Sequence, residues 1–287
     1  MNRRPYFPLA LALIAACGDD HSASQASDGT GSASDGSTGA NSASESGPEA
    51  DSTESGFESS TTADALCAEI YEGTLVLEGQ AAVDAMGQLG EVTETLTISG
   101  EVTNLSALGC LRTVRGELRV TDTSGLQGLS GLSVLSELGS LRVTDNPDLV
   151  SLEGLDALRF VPRIALHGNG LTTLGLSQLQ AANNLTIGEC SVQAPRGEPL
   201  LTDLDGLESL LAIGNVSVYG TPRLTNVSGL RSFAERNGVL PSMLFWFNAA
   251  LESELVIGLA DELGAYSAST CGNLGEDPRR CACPFKG

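Results

Sequence analysis

Basic side chains are scarce in this 287-residue chain. Lysine and arginine number 15 against 36 aspartates and glutamates, for a net charge of −21. The only lysine is Lys286, so no lysine is available in the body of the chain for a Schiff base or a phosphate clamp. A chain this acidic repels a nucleic-acid backbone, which excludes a DNA or RNA role. Aromatics are 4% of residues, with one tryptophan, and there are only two histidines. His21 lies in a Ser-rich stretch and His167 is a lone histidine with no reactive partner beside it in its column, so catalysis by histidine has little to work with. No GxSxG, HExxH, Walker or dinucleotide pattern occurs. No apolar run reaches the roughly 18 residues of a membrane-spanning helix.

The first 16 residues read as targeting. Arg3 and Arg4 precede the apolar run Pro5 to Ala16, which is too short to span a bilayer and ends at Ile14-Ala15-Ala16-Cys17. This resembles the bacterial lipoprotein signal, in which small residues admit the peptidase and the cysteine thiol accepts the lipid. The resemblance implies export to a bacterial cell envelope, with Cys17 as the lipid anchor in an outer membrane or at the cell surface. Residues 17–63 are Ser-, Gly-, Asp- and Glu-rich, with Phe57 the one bulky apolar side chain. Such a stretch cannot bury enough apolar surface to offset its ordering entropy, so a disordered linker is expected there, spanning roughly 35–40 Å.

A repeat occupies the next part of the chain. Short alternating strands start at Leu75, Leu96, Leu118, Leu141, Ile164, Leu185, Val216 and Leu244, spaced 21, 22, 23, 23, 21, 31 and 28 residues apart. Four residues after each comes Gly79, Gly100, Asp122, Asp145, Gly168, Glu189, Gly220 or Asn248, and all but Glu189 are turn formers. Leucine columns follow at fixed offsets: Leu126, Leu129, Leu132 and Leu135 in one unit, and Leu149, Leu152, Leu155 and Leu158 in the next. Leu201, Leu204, Leu207 and Leu210 appear eight residues late, which places an insertion within 190–199. Leu224, Val227, Leu230 and Phe233 complete the set, and Gly131, Gly154, Gly206 and Gly229 precede the third leucine each time. Units of this kind bury their apolar residues only when stacked. The fold class expected is all-β: a right-handed parallel β-helix or leucine-rich-repeat-like solenoid of about eight rungs, near 38 Å long at about 4.8 Å per rung. Leu251, Leu255, Leu259 and Leu263 predict a C-terminal capping helix. The domain organisation is then signal peptide 1–16, linker 17–63, solenoid with capping helix 64–265, and Cys-rich tail 266–287.

The strand, turn and LxxLxGLxxL columns from Cys67 to Asn248 resemble the receptor L domain, a short right-handed β-helix related to leucine-rich repeats. The resemblance implies an architecture and, in some receptors, binding of protein ligands. No residue of this chain matches such a site.

With Cys17 assigned to lipid, six cysteines remain: Cys67, Cys110, Cys190, Cys271, Cys281 and Cys283. An even count in an exported chain suggests disulfides, with 15 possible pairings. Position along the repeat favours Cys67–Cys110 and one bridge within the tail. Cys281-Ala282-Cys283 has the wrong spacing for zinc and no histidine nearby. Asp203-Leu204-Asp205-Gly206 has the look of a calcium loop, but Leu204 and Gly206 belong to repeat columns, so neither metal nor cofactor is expected. Asn104, Asn184, Asn215 and Asn226 stand in N-x-[Ser/Thr] contexts and read as turn and rung residues in a bacterial chain.

Strand alternation turns one face outward. It carries Arg119 and Arg142 on adjacent rungs, His167, and an aromatic set of Tyr219, Phe245 and Phe247. These are the candidate binding residues of a non-enzymatic, surface-anchored recognition or adhesion module for a protein or glycan ligand. The alternatives are a β-helix enzyme acting on acidic polysaccharide, with Glu78, Arg119, Arg142 and His167 on the same face, and a purely structural envelope component.

Overall fold

The computed structural model describes residues 67–190, 196–231, 233 and 242–281. Its elements are β1 (Glu69–Tyr71), β2 (Leu75–Glu78), a one-turn helix α1 (Gln80–Asp84), β3 (Leu89–Val92), β4 (Leu96–Glu101), β5 (Thr113–Ser124), β6 (Glu137–Thr144), β7 (Phe160–His167), β8 (Ala181–Ile187), β9 (Ala212–Tyr219), β10 (Ser242–Trp246), helix α2 (Ser253–Glu262) and β11 (Ser267–Cys271). Short 3-10 turns at Ser106–Leu108, Ser130–Leu132, Ser228–Leu230 and Pro278–Arg280 join them. Every pairing between strands is parallel, and from β5 to β11 each strand pairs with the next in the chain. The protein is a parallel β-solenoid, as the repeat predicts.

The register follows the repeat columns. Leu96, Leu118, Leu141, Ile164, Leu185 and Val216 pair rung to rung, as do Ile98, Val120, Val143, Leu166, Ile187 and Val218. All are buried, and with the leucine columns they form one continuous core. The glycine before the third leucine now has a physical reason. A β-carbon on Gly131 would overlap the Leu105 carbonyl, and one on Gly229 would overlap the Leu204 carbonyl. Successive turns there stack backbone against backbone.

The eighth strand differs from the expected phase. Met243, not Leu244, pairs with Val216, and Phe245 pairs with Val218. Met243 and Phe245 therefore point inward and are fully buried, while Leu244 and Trp246 take the outward positions. Spacing alone could not separate these phases, because Met243-Leu-Phe-Trp246 is apolar on both. The left-handed turn residue shifts with the strand: it is Phe247 (φ 62°), in line with Asp122 (φ 51°) and Asp145 (φ 60°).

The sheet continues past residue 265. β11 pairs in register with β10, so the start of the tail supplies a further rung, and α2 is the connection leading to it. In α2 the buried positions are Ser253, Val256, Leu259 and Ala260, whereas Leu255 is half-exposed. Of the four leucines spaced by four, Leu251, Leu259 and Leu263 are buried and Leu255 alone falls off the stripe, since a helix turns every 3.6 residues.

Cys67 is joined to Cys110 and Cys271 to Cys281, with Cα separations of 5.1 and 5.7 Å. The first ties the segment before β1 to the turn beyond β4. The second ties the last strand to the turn that follows it. Cys190 is also disulfide-bonded. These bridges indicate an oxidising, extracytoplasmic compartment. Cys17 and Cys283 lie outside the described residues, as do residues 1–63, where the sequence predicts a signal peptide and linker. No helix among the described residues is long and apolar enough to cross a membrane.

Candidate functional site

The outward face of the sheet is built by alternation against the buried columns. Its first column runs Glu117, Ser140, Arg163, Asn184, Asn215, Ser242 and Ser267. The second runs Thr97, Arg119, Arg142, Ala165, Thr186, Ser217, Leu244 and Ser269. The third holds Ser99, Thr121, Thr144, His167, Tyr219 and Trp246.

Arg119 and Arg142 are register partners on β5 and β6. Glu117 holds both: Arg119 Nη2 donates to its Oε2 at 2.6 Å and Arg142 Nε to its Oε1 at 2.7 Å. The carboxylate side chain is 19% exposed, against 43% and 41% for the two arginines. Burial pushes the Glu117 carboxyl up, but hydrogen bonds and charge from Arg142 and Arg119 outweigh it and hold the group below its ordinary range. Glu117 stays ionised and fixes the two guanidiniums side by side. Arg163, outward on β7, is exposed and makes no ion pair among the described residues. His167 is half-buried beside Thr144, and its Nδ1 is covered without a hydrogen-bond partner.

Past β7 the face carries no charge. Asn215 Nδ2 donates to Asn184 Oδ1 at 2.9 Å, and Thr186 and Ser217 lie between them and the third column. At the far end Trp246 Nε1 donates to Ser269 Oγ at 3.0 Å, and its ring meets Phe247 edge-on at 6.3 Å. The expected aromatic cluster is therefore replaced. Phe245 is in the core, Tyr219 is buried though outward in phase, and Phe247 sits in the left-handed turn. Leu244 and Trp246 are the apolar side chains left at this end of the face.

A second polar assembly lies inside the turn that leaves each strand. Thr123, Asn146, Asn169, Glu198, Thr221, Asn248 and Asn273 are all buried and stacked. Asn146 Oδ1 accepts from the Thr123 backbone N–H, and Asn169 Oδ1 accepts from Asn146 N–H and Nδ2. The amide nitrogens also donate to strand carbonyls, Asn146 to Val120 and Asn169 to Val143. The pattern resumes with Asn248 and Asn273 and ends where Asn273 N–H donates to Glu276. This ladder satisfies backbone groups that the turn would otherwise bury unpaired. Thr123, Asn146, Asn169 and Thr221 each lie five residues after the first strand residue, a signal readable in the sequence but not expected there. Glu198 takes the amide's place at the insertion, with Oε1 and Oε2 accepting from Asn169 Nδ2 and N–H. Burial, with a smaller push from Asp145, raises its carboxyl to about 7 against the hydrogen bonds from Asn169.

The N-x-[Ser/Thr] sites have structural work to do. Asn104 Oδ1 accepts from Ser106 N–H and Asn226 Oδ1 from Ser228 N–H, closing the 3-10 turns. Asp203 does the same for Asp205, so the calcium-loop pattern is a turn cap, and no group of potential metal ligands occurs among the described residues. Glu78 lies at the N-terminal end of the face, paired in register with Ser99 and away from His167. No protein family, no curated protein and no solved structure matches the chain.

Proposed function

We propose that this protein is an exported, membrane-anchored, non-enzymatic recognition module that binds its ligand on the outward face of β5–β10. The observation that carries this reading is the charge distribution. In a chain of net charge −21, the three columns of this face bear one carboxylate between β5 and β10, Glu117, already committed to Arg119 and Arg142, and no charge beyond β7, while Glu137 is exposed at the start of β6 before the columns begin. Depletion of charge over a broad surface is the compositional mark of an interface. The disulfides support an extracytoplasmic setting. The signal resembling a lipoprotein's, with Cys17, supports attachment to a bacterial envelope, outer membrane or cell surface. The resemblance of the repeat to the receptor L domain agrees with recognition by a solenoid surface.

The test is capture of envelope material by the full chain, comparing the native protein with Thr186→Glu/Ser217→Glu. The control places carboxylates on the turn side, as Ser130→Glu. Loss of capture in the first variant alone supports the reading, and equal capture by all three rejects it. The anchor is tested separately: Cys17→Ser is expected to release the protein from membranes or leave an uncut precursor, and unchanged fractionation and mature size would reject lipidation.

A further inference from the structure

We infer that the ligand of this face is a carboxylate-bearing polysaccharide lying along the solenoid axis, its acidic groups on Arg119, Arg142 and Arg163 and its sugar hydroxyls on the uncharged stripe beyond. This rests on the recognition reading above and gives it a chemistry. Within the three columns from β5 to β10, the arginine cluster is where the face departs from neutrality. Glu117 neutralises one of the two guanidiniums it holds, and Arg163 on the next strand makes no ion pair among the described residues. The three arginines therefore leave an excess of two positive charges on a strongly negative protein. Arginine donates strong charge-assisted hydrogen bonds to carboxylates, and Glu117 holds two of the three guanidiniums in place, Arg119 by Nη2 and Arg142 by Nε.

The rest of the face selects the class of anion. Asn184, Thr186, Asn215, Ser217, Ser242, Ser267 and Ser269 present hydroxyls and amides in rows repeating at about 4.8 Å, close to the length of one sugar unit. These groups both donate and accept, as sugar hydroxyls require. Trp246, tethered to Ser269 and half-buried, offers an apolar ring at the end of the row. An acidic protein partner would call for several aromatic or aliphatic anchors at the centre of the contact. The centre of this face is Ala165, Thr186 and Ser217.

The experiment measures binding of the full chain, in detergent or on vesicles, to polygalacturonate and alginate, to their carboxyl-reduced neutral forms, to dextran, and to polyphosphate. The expected result is retention of a polyuronate, loss on carboxyl reduction, and weakening as salt rises. Arg163→Ala is expected to weaken binding about tenfold, and Arg142→Ala/Arg163→Ala further. Arg159→Ala, off this face, is expected to leave it unchanged. Binding of dextran or of the reduced polymers as tight as the acidic ones overturns the inference. So does equal binding of polyphosphate with the same arginine dependence, which would make the patch a general anion site. If no polyuronate binds while envelope capture still fails in Thr186→Glu/Ser217→Glu, the ligand class is wrong and the recognition face stands. If capture ignores that double variant too, both fall.

Discussion

The sheet face and the turn face of this solenoid are made from the same repeat, yet they spend their side chains differently. On the turn face, rungs approach until backbones touch at Gly131 and Gly229, and short polar side chains such as Asn104, Asp203 and Asn226 are consumed in closing their own turns. Acidic groups crowd there. Burial, then repulsion from Asp203 and Glu208, raises the Asp205 carboxyl. On the sheet face, backbone pairing and the inward residues hold the rungs together, so the outward positions are free of structural duty. In its columns Glu117, Arg119 and Arg142 engage one another strongly, within β5 and across to β6. A surface relieved of packing work is the one on which recognition can vary without cost to the fold.

The sharpest way to break this contrast is to cut the shared core. Leu141→Ala removes a side chain buried in the middle of the stack and is expected to cost about 2–5 kcal/mol of unfolding free energy. A cost under about 1 kcal/mol in denaturant titration would mean the rung collapses around the gap and the core is less continuous than described. Next in size is Glu198. Its carboxyl is raised from 4.5 to about 7, so the folded protein holds this proton more tightly than the unfolded chain does. The associated stability is fully present below pH 4.5 and is lost as pH rises through about 7, a change on the order of 3 kcal/mol. Glu198→Gln is expected to remove that dependence and to be the more stable protein above pH 7. Superimposable pH profiles for the two proteins would refute it. Glu117 works in the opposite direction, losing its contribution in acid, so the comparison is variant against native at each pH.

On the turn face, Gly131→Ala forces a β-carbon into the Leu105 carbonyl and is expected to cost about 1–3 kcal/mol. The equivalent change on the sheet face, Arg142→Ala, breaks a pair whose arginine is 41% exposed and is expected to cost no more than about 1 kcal/mol. Thermal melts of the two variants side by side test the contrast, and a larger loss for Arg142→Ala would reverse it.

The repeat made most of the fold readable. Inward positions in β4 to β9 and the leucine columns follow from alternation and fixed offsets, because each is dictated by burial. The phase of β10 was ambiguous, since four consecutive apolar residues carry no alternation. Leu255 was misplaced because a strict spacing of four slides around a helix. Of the site, the Arg119–Arg142 pairing was legible from the 23-residue offset, but the part played by Glu117 was not, because it depends on two side chains reaching back to one. The ladder at Asn146 and Asn169 escaped notice because polar residues after a strand look like ordinary turn residues until their burial is known.

Glu198 shows what the ladder does for the length of the chain. Between Asn169 and Glu198 the repeat runs 29 residues instead of 23, and an antiparallel bridge between Glu189 and Arg196 brackets the excess. Beyond it Thr221 resumes the usual step. The buried oxygen thus acts as a bookmark. However many residues leave the stack, the winding continues in phase once one of them returns an acceptor to that slot. A solenoid marked in this way can take on new surface loops at a rung without re-indexing any rung that follows.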